Sequence, residues 1–453
     1  MRLKSITLKN FRCFEHLELV FDSKLTVIVA ENGAGKTAIL DAIATGFGRY
    51  LTKLGKKGQT LKQSDLQVSE QEKLAPYVGI EIALEVRENT GSRTIVWSLT
   101  RKNNPASKID TSFAGTKAID DFAAQLLHQQ DDGLTPLFPL VVYYGTNRGI
   151  LGEVQRSRNF KKKFAPLDAL DGALEPTARF KAAFEWFNAM EDEERREREK
   201  RKDFSYRMPH LEYVCRAIED ALSNLPAEGV FDATVLPVLF RNPRTETRPL
   251  RFVIDQHLPN CTRTLRINQL SDGYRIMLGL VMDLARRQAE AFSFNRNVIG
   301  GFGTWPSIVL IDEVDLHLHP RWQQMVLSQL QRIFRTTQFI VTTHSPQVLS
   351  TVRRENIRVL GPNSADMPLA TTYGQPSGDV MHSVMLVDPL PPITEAQRLS
   401  RLTALVDQGL WETAEASDLM VQLSQELGPE NARLQQLQRS IQRQAMLRDL
   451  AQP

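Results

Sequence analysis

The chain has 453 residues, a formal net charge of +3, 42% hydrophobic and 24% charged residues, a composition that excludes global disorder. No apolar run reaches the roughly 18 residues that a membrane helix needs, and the first residues alternate instead of forming a signal peptide. Cys13, Cys215 and Cys261 are far apart and form no CxxC pair. We therefore expect a cytoplasmic protein without a membrane contact, a disulfide framework or a zinc site.

The first 150 residues predict strands around one Gly-rich turn. Residues 51–73 are polar and lysine-bearing, and they predict a mobile loop. Alternating or continuous apolar patterns predict strands at 4–9, 15–21, 25–30, 77–87, 93–101 and 140–144, and helical spacing predicts helices at 37–50 and 117–128. The early alternating strands predict an antiparallel arm.

The second part of the chain repeats the order strand, helix, strand. Residues 174–224 predict helices, and the charged run at 191–201 is typical of a solvated helix with i,i+4 ion pairs. Further strands are predicted at 233–268 with a turn at 242–244, and at 307–311 and 338–342. Helices are predicted at 273–292 and 321–334, and a Gly-rich loop at 295–306. Buried strands in this order predict a mainly parallel sheet covered on both faces.

A Pro-rich linker at 388–392 marks a change in composition. Beyond it, helical patterns at 396–408, 411–426 and 431–450 predict a small α-helical tail. The sequence contains no repeat of solenoid period.

The most specific motif is AENGAGKT at 30–37, between a predicted strand and a predicted helix. Small residues let backbone N–H groups approach phosphates, a lysine reaches the β- and γ-phosphates, and a hydroxyl holds Mg²⁺. Ala30 replaces the usual first glycine, and the other positions fit. The predicted ATP-binding residues are Asn32, Gly33, Ala34, Gly35, Lys36 and Thr37.

An acidic pair follows the buried strand IVLI at 308–311. Asp312 stands at the strand end, where it can hold Mg²⁺ together with Thr37. Glu313 can orient or deprotonate the attacking water. Downstream of a phosphate loop, this pair predicts ATP hydrolysis with Asp312 as a metal ligand and Glu313 as a catalytic residue.

Two further motifs indicate the subclass. LSDGY at 270–274 resembles the LSGGQ signature of ABC-type ATPases, in which the serine and glycine bind the nucleotide of the opposite subunit; Ser271 and Gly273 are the matching residues. THSP at 343–346 resembles the switch histidine of that class, which makes His344 a second catalytic candidate. Asp315 matches the D-loop position. His317 and His319 alternate near it, but they lack further metal ligands in the neighbouring sequence.

Together these motifs resemble the SMC, RecF and OLD branch of ABC-type ATPases. LKNFR at 8–12 is similar to the first strand of that branch, and the resemblance places Arg12 near the nucleotide. The chain also resembles a bacterial group that includes the PtuA ATPase of Septu anti-phage systems and retron-associated ATPases. This resemblance is carried by EWF at 185–187, YYGTNR at 143–148 and the segment 310–320. The resemblance covers about residues 1–385.

The resemblance implies an α/β P-loop fold of ABC type, and the predicted elements and motifs divide the chain into four parts. The parts are an ATPase lobe with the phosphate loop and the antiparallel arm at 1–150, a mostly helical insertion at 151–232, a second ATPase lobe at 233–385 and a helical tail at 393–453. It also implies ATP and Mg²⁺ sandwiched in a homodimer or larger homo-oligomer, and an HNH nuclease partner. The chain itself shows no nuclease motif.

Several alternatives stay open at this point. A RecF- or SMC-like DNA-repair ATPase would need no nuclease, and a transporter subunit would need a membrane partner. The basic stretch with Arg156, Arg158 and Lys161 to Lys163, flanked by Phe160 and Phe164, is interpreted either as a solvated loop or as a DNA contact. Asn147 or Arg148 would lie near the nucleotide.

Overall fold

A computed structural model describes most of the chain. The described ranges are 1–68, 73–88, 91–103, 111–132, 138–147, 164–176, 180–223, 239–247, 250–258, 261–291, 306–388, 391–428 and 430–450. Arg148, the basic stretch at 156–163 and most of the predicted loop at 295–306 therefore lie outside them.

The described strands, numbered in chain order, are β1 Arg2–Phe11, β2 Phe14–Val20, β3 Leu25–Val29, β4 Tyr77–Glu88, β5 Gly91–Lys102, β6 Thr111–Ala114, β7 Leu140–Tyr144, β8 Leu239–Thr247, β9 Leu250–Leu258, β10 Cys261–Arg266, β11 Ser307–Ile311, β12 Thr337–Thr342, β13 Ile357–Leu360 and β14 Ala365–Asp366. The described helices are α1 Lys36–Gly46, α2 Gly48–Lys53, α3 Lys117–Asp131, α4 Phe180–Arg201, α5 Pro209–Ser223, α6 Asp272–Ala291, α7 Pro320–Gln323, α8 Val326–Ile333, α9 Pro346–Leu349, α10 Ser377–Ser383, α11 Thr394–Asp407, α12 Ala414–Leu427 and α13 Ala432–Leu450.

A six-stranded sheet in the order β14-β13-β3-β12-β11-β7 forms the centre of the larger unit. Every pair in it is parallel except β13 with β14. Every residue of β3, β7, β11 and β12 is buried, which explains the apolar runs within them: a parallel sheet is covered on both faces. The predicted mainly parallel sheet and α/β P-loop architecture are confirmed.

Two antiparallel sheets flank it. The five-stranded sheet β2-β1-β4-β5-β6 is the predicted arm, and its β1 alternates between buried and exposed residues as a half-covered strand should. The three-stranded sheet has the order β10-β9-β8. Gln338 of β12 joins the arm to the central sheet, because its side-chain amide exchanges two hydrogen bonds of 2.8 Å with the backbone of Leu3 and donates a third to the carbonyl of Asp22.

Several local predictions are wrong in detail. The predicted turn at 242–244 is a bulge inside β8, where the register shifts between Arg241 and Arg244. Asn242 has a φ of +53°, and Pro243 is tolerated because β8 is an edge strand of its sheet. The predicted helix at 321–334 is two short helices, α7 and α8, and the predicted helix at 37–50 is α1 followed by α2.

The segment predicted as a mobile loop is partly packed on the core. Leu61 and Leu66 are buried, and Gln63–Asp65 forms a 3-10 helix between them. The charged run in α4 is also less exposed than predicted. Glu194 is buried and accepts a hydrogen bond from the backbone N–H of Met208 at 2.7 Å, so the run contributes to packing between α4 and α5.

The chain divides into two compact units, Met1–Val380 and Met381–Pro453. The second unit contains α11, α12 and α13, and its core includes Leu402, Val406, Leu423 and Leu434. The finer boundaries at 150, 232 and 385 stay predictions. Within the described ranges, no helix combines the length and the hydropathy that crossing a membrane requires.

A buried charge network fixes α6 against the central sheet. Asp283 is fully buried and pairs with Arg286 at 2.8 Å and with Arg287 at 2.7 Å, while the hydroxyl of Tyr144 on β7 donates to it at 2.9 Å. Burial alone would raise the pKa of Asp283, but the two guanidinium groups outweigh it and lower the pKa to about 2. Asp283 is therefore ionised at every physiological pH.

Replacing Asp283 with alanine should destabilise the larger unit by about 3–5 kcal/mol, because it leaves two guanidinium groups buried without their shared carboxylate. Urea unfolding followed by tryptophan fluorescence measures the change. The control is Asp121→Ala on an exposed position of α3, which should change stability by less than about 0.5 kcal/mol. Equal midpoints for both variants would contradict the structural role of Asp283.

Candidate nucleotide-binding site

The predicted phosphate loop connects β3 to α1. Gly33 has a φ of +83° and Gly35 a φ of +97°, conformations that residues with a side chain rarely adopt. A Cβ on Gly35 would also lie 2.5 Å from the Cys13 sulfur and from the Phe14 ring. The turn between β1 and β2 is thus pressed against the loop. The backbone of the loop remains exposed, and the loop leads directly into the N-terminus of α1. A phosphate site needs both features.

Lys36 begins α1 and is 7% exposed. Its ammonium donates to the carbonyls of Ala30 at 2.9 Å and Glu31 at 2.8 Å. Burial lowers the pKa of this lysine, and the nearby carboxylates of Asp312, Glu313 and Asp315 oppose that shift. The positive charge therefore lies between the loop and the acidic segment, where it can meet an anionic phosphate.

Asp312 connects the loop to the central sheet. It follows β11 and is 1% exposed. Its two carboxylate oxygens accept hydrogen bonds from the hydroxyls of Thr37 at 2.7 Å and Thr342 at 2.6 Å. A hydroxyl beside a carboxylate offers the oxygen ligands that Mg²⁺ prefers. The structure therefore brings together the two predicted metal ligands, which are 275 positions apart in the sequence.

Backbone hydrogen bonds to Thr342 hold Glu313 in place. Its φ is +48°, and its N–H donates to the Thr342 hydroxyl at 2.7 Å. The same hydroxyl donates to Asp312, so Thr342 fixes both acidic residues. The next N–H, of Val314, donates to the Thr342 carbonyl at 2.9 Å. A strained backbone held in this way positions the Glu313 side chain next to the loop.

Arg12 lies beside the phosphate loop, because the adjacent Cys13 contacts Gly35. Its guanidinium pairs with Asp41 of α1 at 2.6 Å and with Asp65 at 3.0 Å. The role of Arg12 in nucleotide binding stays a prediction. The two carboxylates were not identified in the sequence, where nothing distinguishes Asp65 from other polar residues of its segment.

The predicted signature segment, residues 270–274, packs against the predicted D-loop segment, residues 315–322, of the same chain. A Cβ on Gly273 would lie 2.8 Å from the Trp322 ring, and Tyr274 contacts the same ring with a centroid distance of 4.2 Å. These contacts give Gly273 and Tyr274 a packing role. Ser271, immediately before α6, is half-buried. Signature and D-loop segments thus form one continuous structure.

His344 lies in a hydrogen-bonded turn after β12. The Thr343 hydroxyl donates to Asp315 at 2.5 Å, and the Ser345 hydroxyl donates to Gln323 at 2.7 Å and caps α9. His344 itself is half-buried. His319 caps α7, accepting from the N–H of Arg321 at 3.3 Å. Among the residues that the structure describes, no group of three or more His, Cys, Asp and Glu side chains is arranged to hold a metal ion.

Tyr143 and Thr342 are site residues that the sequence did not single out for chemistry. Burial raises the pKa of Tyr143, and the nearby carboxylates of Asp41 and Asp312 raise it further, so its hydroxyl stays protonated beside Asp312. Thr342 could have been found from its place at the end of a buried strand, next to the THSP motif.

Two protein-family models match this chain. Residues 5–225 match an AAA domain, and residues 151–350 match an AAA domain described as a putative AbiEii toxin of a type IV TA system. The chain is 27% identical to the Retron Ec83 probable ATPase of Escherichia coli, over 98% of this chain and 87% of that protein.

Two more proteins are similar to this chain, one over most of its length and one over a short stretch. The Retron Vc95 probable ATPase of Vibrio cholerae is 26% identical over 84% of this chain and 78% of its own length. The Septu protein PtuA of Bacillus mycoides is 40% identical over a shorter stretch, 18% of this chain and 10% of that protein. The similarity to the Ec83 protein thus extends over both compact units.

Replacing Thr342 with valine should lower ATP turnover about 10- to 100-fold and change ATP affinity less, because the hydroxyl orients the acidic pair without touching the phosphate loop. Steady-state phosphate release and binding of a fluorescent ATP analogue measure the two effects. Thr26→Val is the matched control: Thr26 is equally buried in β3, and its hydroxyl accepts from the Asp22 N–H. If both variants turn over ATP equally, Thr342 has no positioning role.

Proposed function

We propose that this chain, an ATPase of the SMC, RecF and OLD type related to retron-associated ATPases and to PtuA, is the ATP-operated switch subunit of a bacterial anti-phage defence complex. ATP binding holds two protomers together, and hydrolysis changes the state of a partner nuclease. The proposed ATPase activity rests on one observation: the Asp312 carboxylate accepts hydrogen bonds from the hydroxyl of Thr37 in the phosphate loop and from the hydroxyl of Thr342 at the end of β12.

The residues present fit ATP and Mg²⁺. Thr37 and Asp312 would hold the ion, which supplies positive charge to the phosphates, and the loop N–H groups and Lys36 would bind the phosphate oxygens. Glu313 would accept a proton from the attacking water. The turn that carries His344 is fixed to the D-loop through Asp315, which supports a role for His344 at the same phosphate.

The ABC-type arrangement would complete each site with the signature of the opposite protomer. Ser271 and Gly273 stand at the N-terminus of a 20-residue helix, whose partial positive charge favours a phosphate. Packing between the signature and D-loop segments supports their approaching the partner as one surface. A homodimer with two shared sites follows from this arrangement.

The partner is proposed to be a nuclease of HNH type. The sequence contains no nuclease motif, and the likeness to retron and Septu proteins supports a defence role. A RecF-like repair ATPase acting without a nuclease is the alternative, and it predicts stimulation of ATP turnover by DNA.

Replacing Glu313 with glutamine should reduce ATP turnover at least ~100-fold while ATP stays bound, because glutamine cannot accept the proton of the attacking water. Single-turnover hydrolysis and filter binding separate the two quantities. Glu355→Gln, at an exposed position, is the control and should match the wild type. Turnover within a few-fold of that control would remove Glu313 from the catalytic role.

The same Glu313→Gln protein tests the partner. Purified with ATP from its native host, it should retain a nuclease in stoichiometric amount, identified by mass spectrometry. A protein that purifies alone as an ATP-bound dimer would favour the repair ATPase and contradict the switch role.

Mixing two inactive variants tests the shared site. Ser271→Arg should disable only the signature and Lys36→Ala only the phosphate loop. A 1:1 mixture should recover about a quarter of wild-type turnover, because half of the dimers are mixed and each of these has one intact site. The unmixed variants are the controls. A mixture as inactive as its components would argue against a site shared between protomers.

A further inference from the structure

The turn that joins α4 to α5, residues 202–208, presents one aromatic ring to solvent. Phe204 is 81% exposed, and within the described side chains of 181–223 it is the only large hydrophobic one that is exposed. A protein–protein interface has an apolar centre made by several residues, which this turn lacks. An isolated ring suits a ligand that offers a planar face of its own.

Hydrogen bonds hold the turn on both sides of this ring. The Asp203 carboxylate accepts from the backbone N–H of Ser205 at 2.9 Å and from its hydroxyl at 2.6 Å. On the far side, the guanidinium of Arg198 in α4 donates to the Tyr206 carbonyl at 2.7 Å. Because the backbone around Phe204 is already fixed, a ligand would bind the ring without first ordering the chain.

Basic side chains surround the ring along the chain. Residues 195–207 contain seven Lys and Arg and three Asp and Glu, a local net charge of +4, whereas the whole chain carries only +3. Most of these cations pair with carboxylates of the same segment, as Arg201 does with Glu197 at 2.9 Å. Arg196 and Lys202 are exposed and form no ion pair within the described part of the chain, so their charges are available to an anion.

Single-stranded nucleic acid combines the two features that this turn can bind. Its unpaired bases offer planar faces for stacking, and its phosphates offer regularly spaced negative charges. A duplex keeps its base faces stacked on one another. An acidic protein would match the cations, but it would meet a single ring in place of an apolar patch.

We propose that the α4–α5 turn binds single-stranded nucleic acid, with Phe204 stacked on one base and with Arg196 and Lys202 on flanking phosphates. Stacking and charge do not depend on the sugar, since telling RNA from DNA requires contacts to the 2′-hydroxyl. The inference goes beyond the proposed ATPase switch and requires no ATP. It concerns a different segment from the basic stretch at 156–163.

The test measures fluorescence anisotropy with the full chain in the absence of nucleotide. The probes are a labelled oligothymidine of about 20 nucleotides and an abasic chain with the same number of phosphates. The oligothymidine should bind with a Kd at least about fivefold lower, because only it supplies a base for stacking. Phe204→Ala should remove this difference and leave the Kd of the abasic chain unchanged. The ring is exposed, so its removal should not affect folding.

A charge-reversal variant tests the phosphate contacts. Arg196→Glu combined with Lys202→Glu should raise the Kd of both probes at least about tenfold. Lys24→Glu combined with Lys117→Glu, at exposed positions of other segments, changes the net charge equally and should stay within about twofold of the wild type. Ultraviolet cross-linking to 5-iododeoxyuridine in the oligonucleotide should label the tryptic peptide 203–207, identified by mass spectrometry.

Equal affinity for the oligothymidine and the abasic chain would overturn the proposal, as would unchanged binding in Phe204→Ala. Poly-L-glutamate that competes as well as the oligothymidine would overturn it in favour of an acidic protein. Oligouridine should bind within about threefold of oligothymidine, and a preference above about tenfold would contradict binding that ignores the sugar. Because the assay contains no ATP, each of these results is distinguishable from a failure of the ATPase switch.

Discussion

The Asp312 carboxylate is the interaction on which the site depends. One oxygen accepts from Thr37 at the start of α1, and the other accepts from Thr342 at the end of β12. Three neighbouring parallel strands, β3, β12 and β11, end at the same edge of the sheet and bring these residues together. Moving any one of these strand ends would break a hydrogen bond of Asp312 with Thr37 or with Thr342.

The rest of the larger unit keeps that edge in place. Gln338 fixes the arm to β12, and the ion pairs of Asp283 hold α6 against β7 through Tyr144. At the N-terminus of α6, Gly273 and Tyr274 pack on Trp322 beside the D-loop segment. A displacement of the signature would therefore be transmitted to the turn that holds Asp315 and Thr343. In the proposed homodimer, this continuity would offer a physical route from the second protomer to the acidic pair.

Much of the fold and of the site is predictable from local patterns. The buried strand at 307–311 and the phosphate loop at 30–37 follow from short-range sequence, because a fully buried strand and a Gly-rich turn each have a distinct composition. The bulge at Asn242 was predicted as a turn, since Asn, Pro and Arg in sequence favour a turn and only the partner strand β9 makes it a bulge. Residues defined by distant contacts were missed: Asp65 and Asp41 have no local signature.

The order of the motifs, the available chemical groups and the parallel sheet follow from residue type and spacing along the chain. Which of those groups meet depends on the folded structure. It placed Thr342 on both acidic residues and gave Arg12 two carboxylate partners. The reason is physical: hydrogen bonds and ion pairs act over a few ångströms in space, and residues hundreds of positions apart reach that distance only through folding.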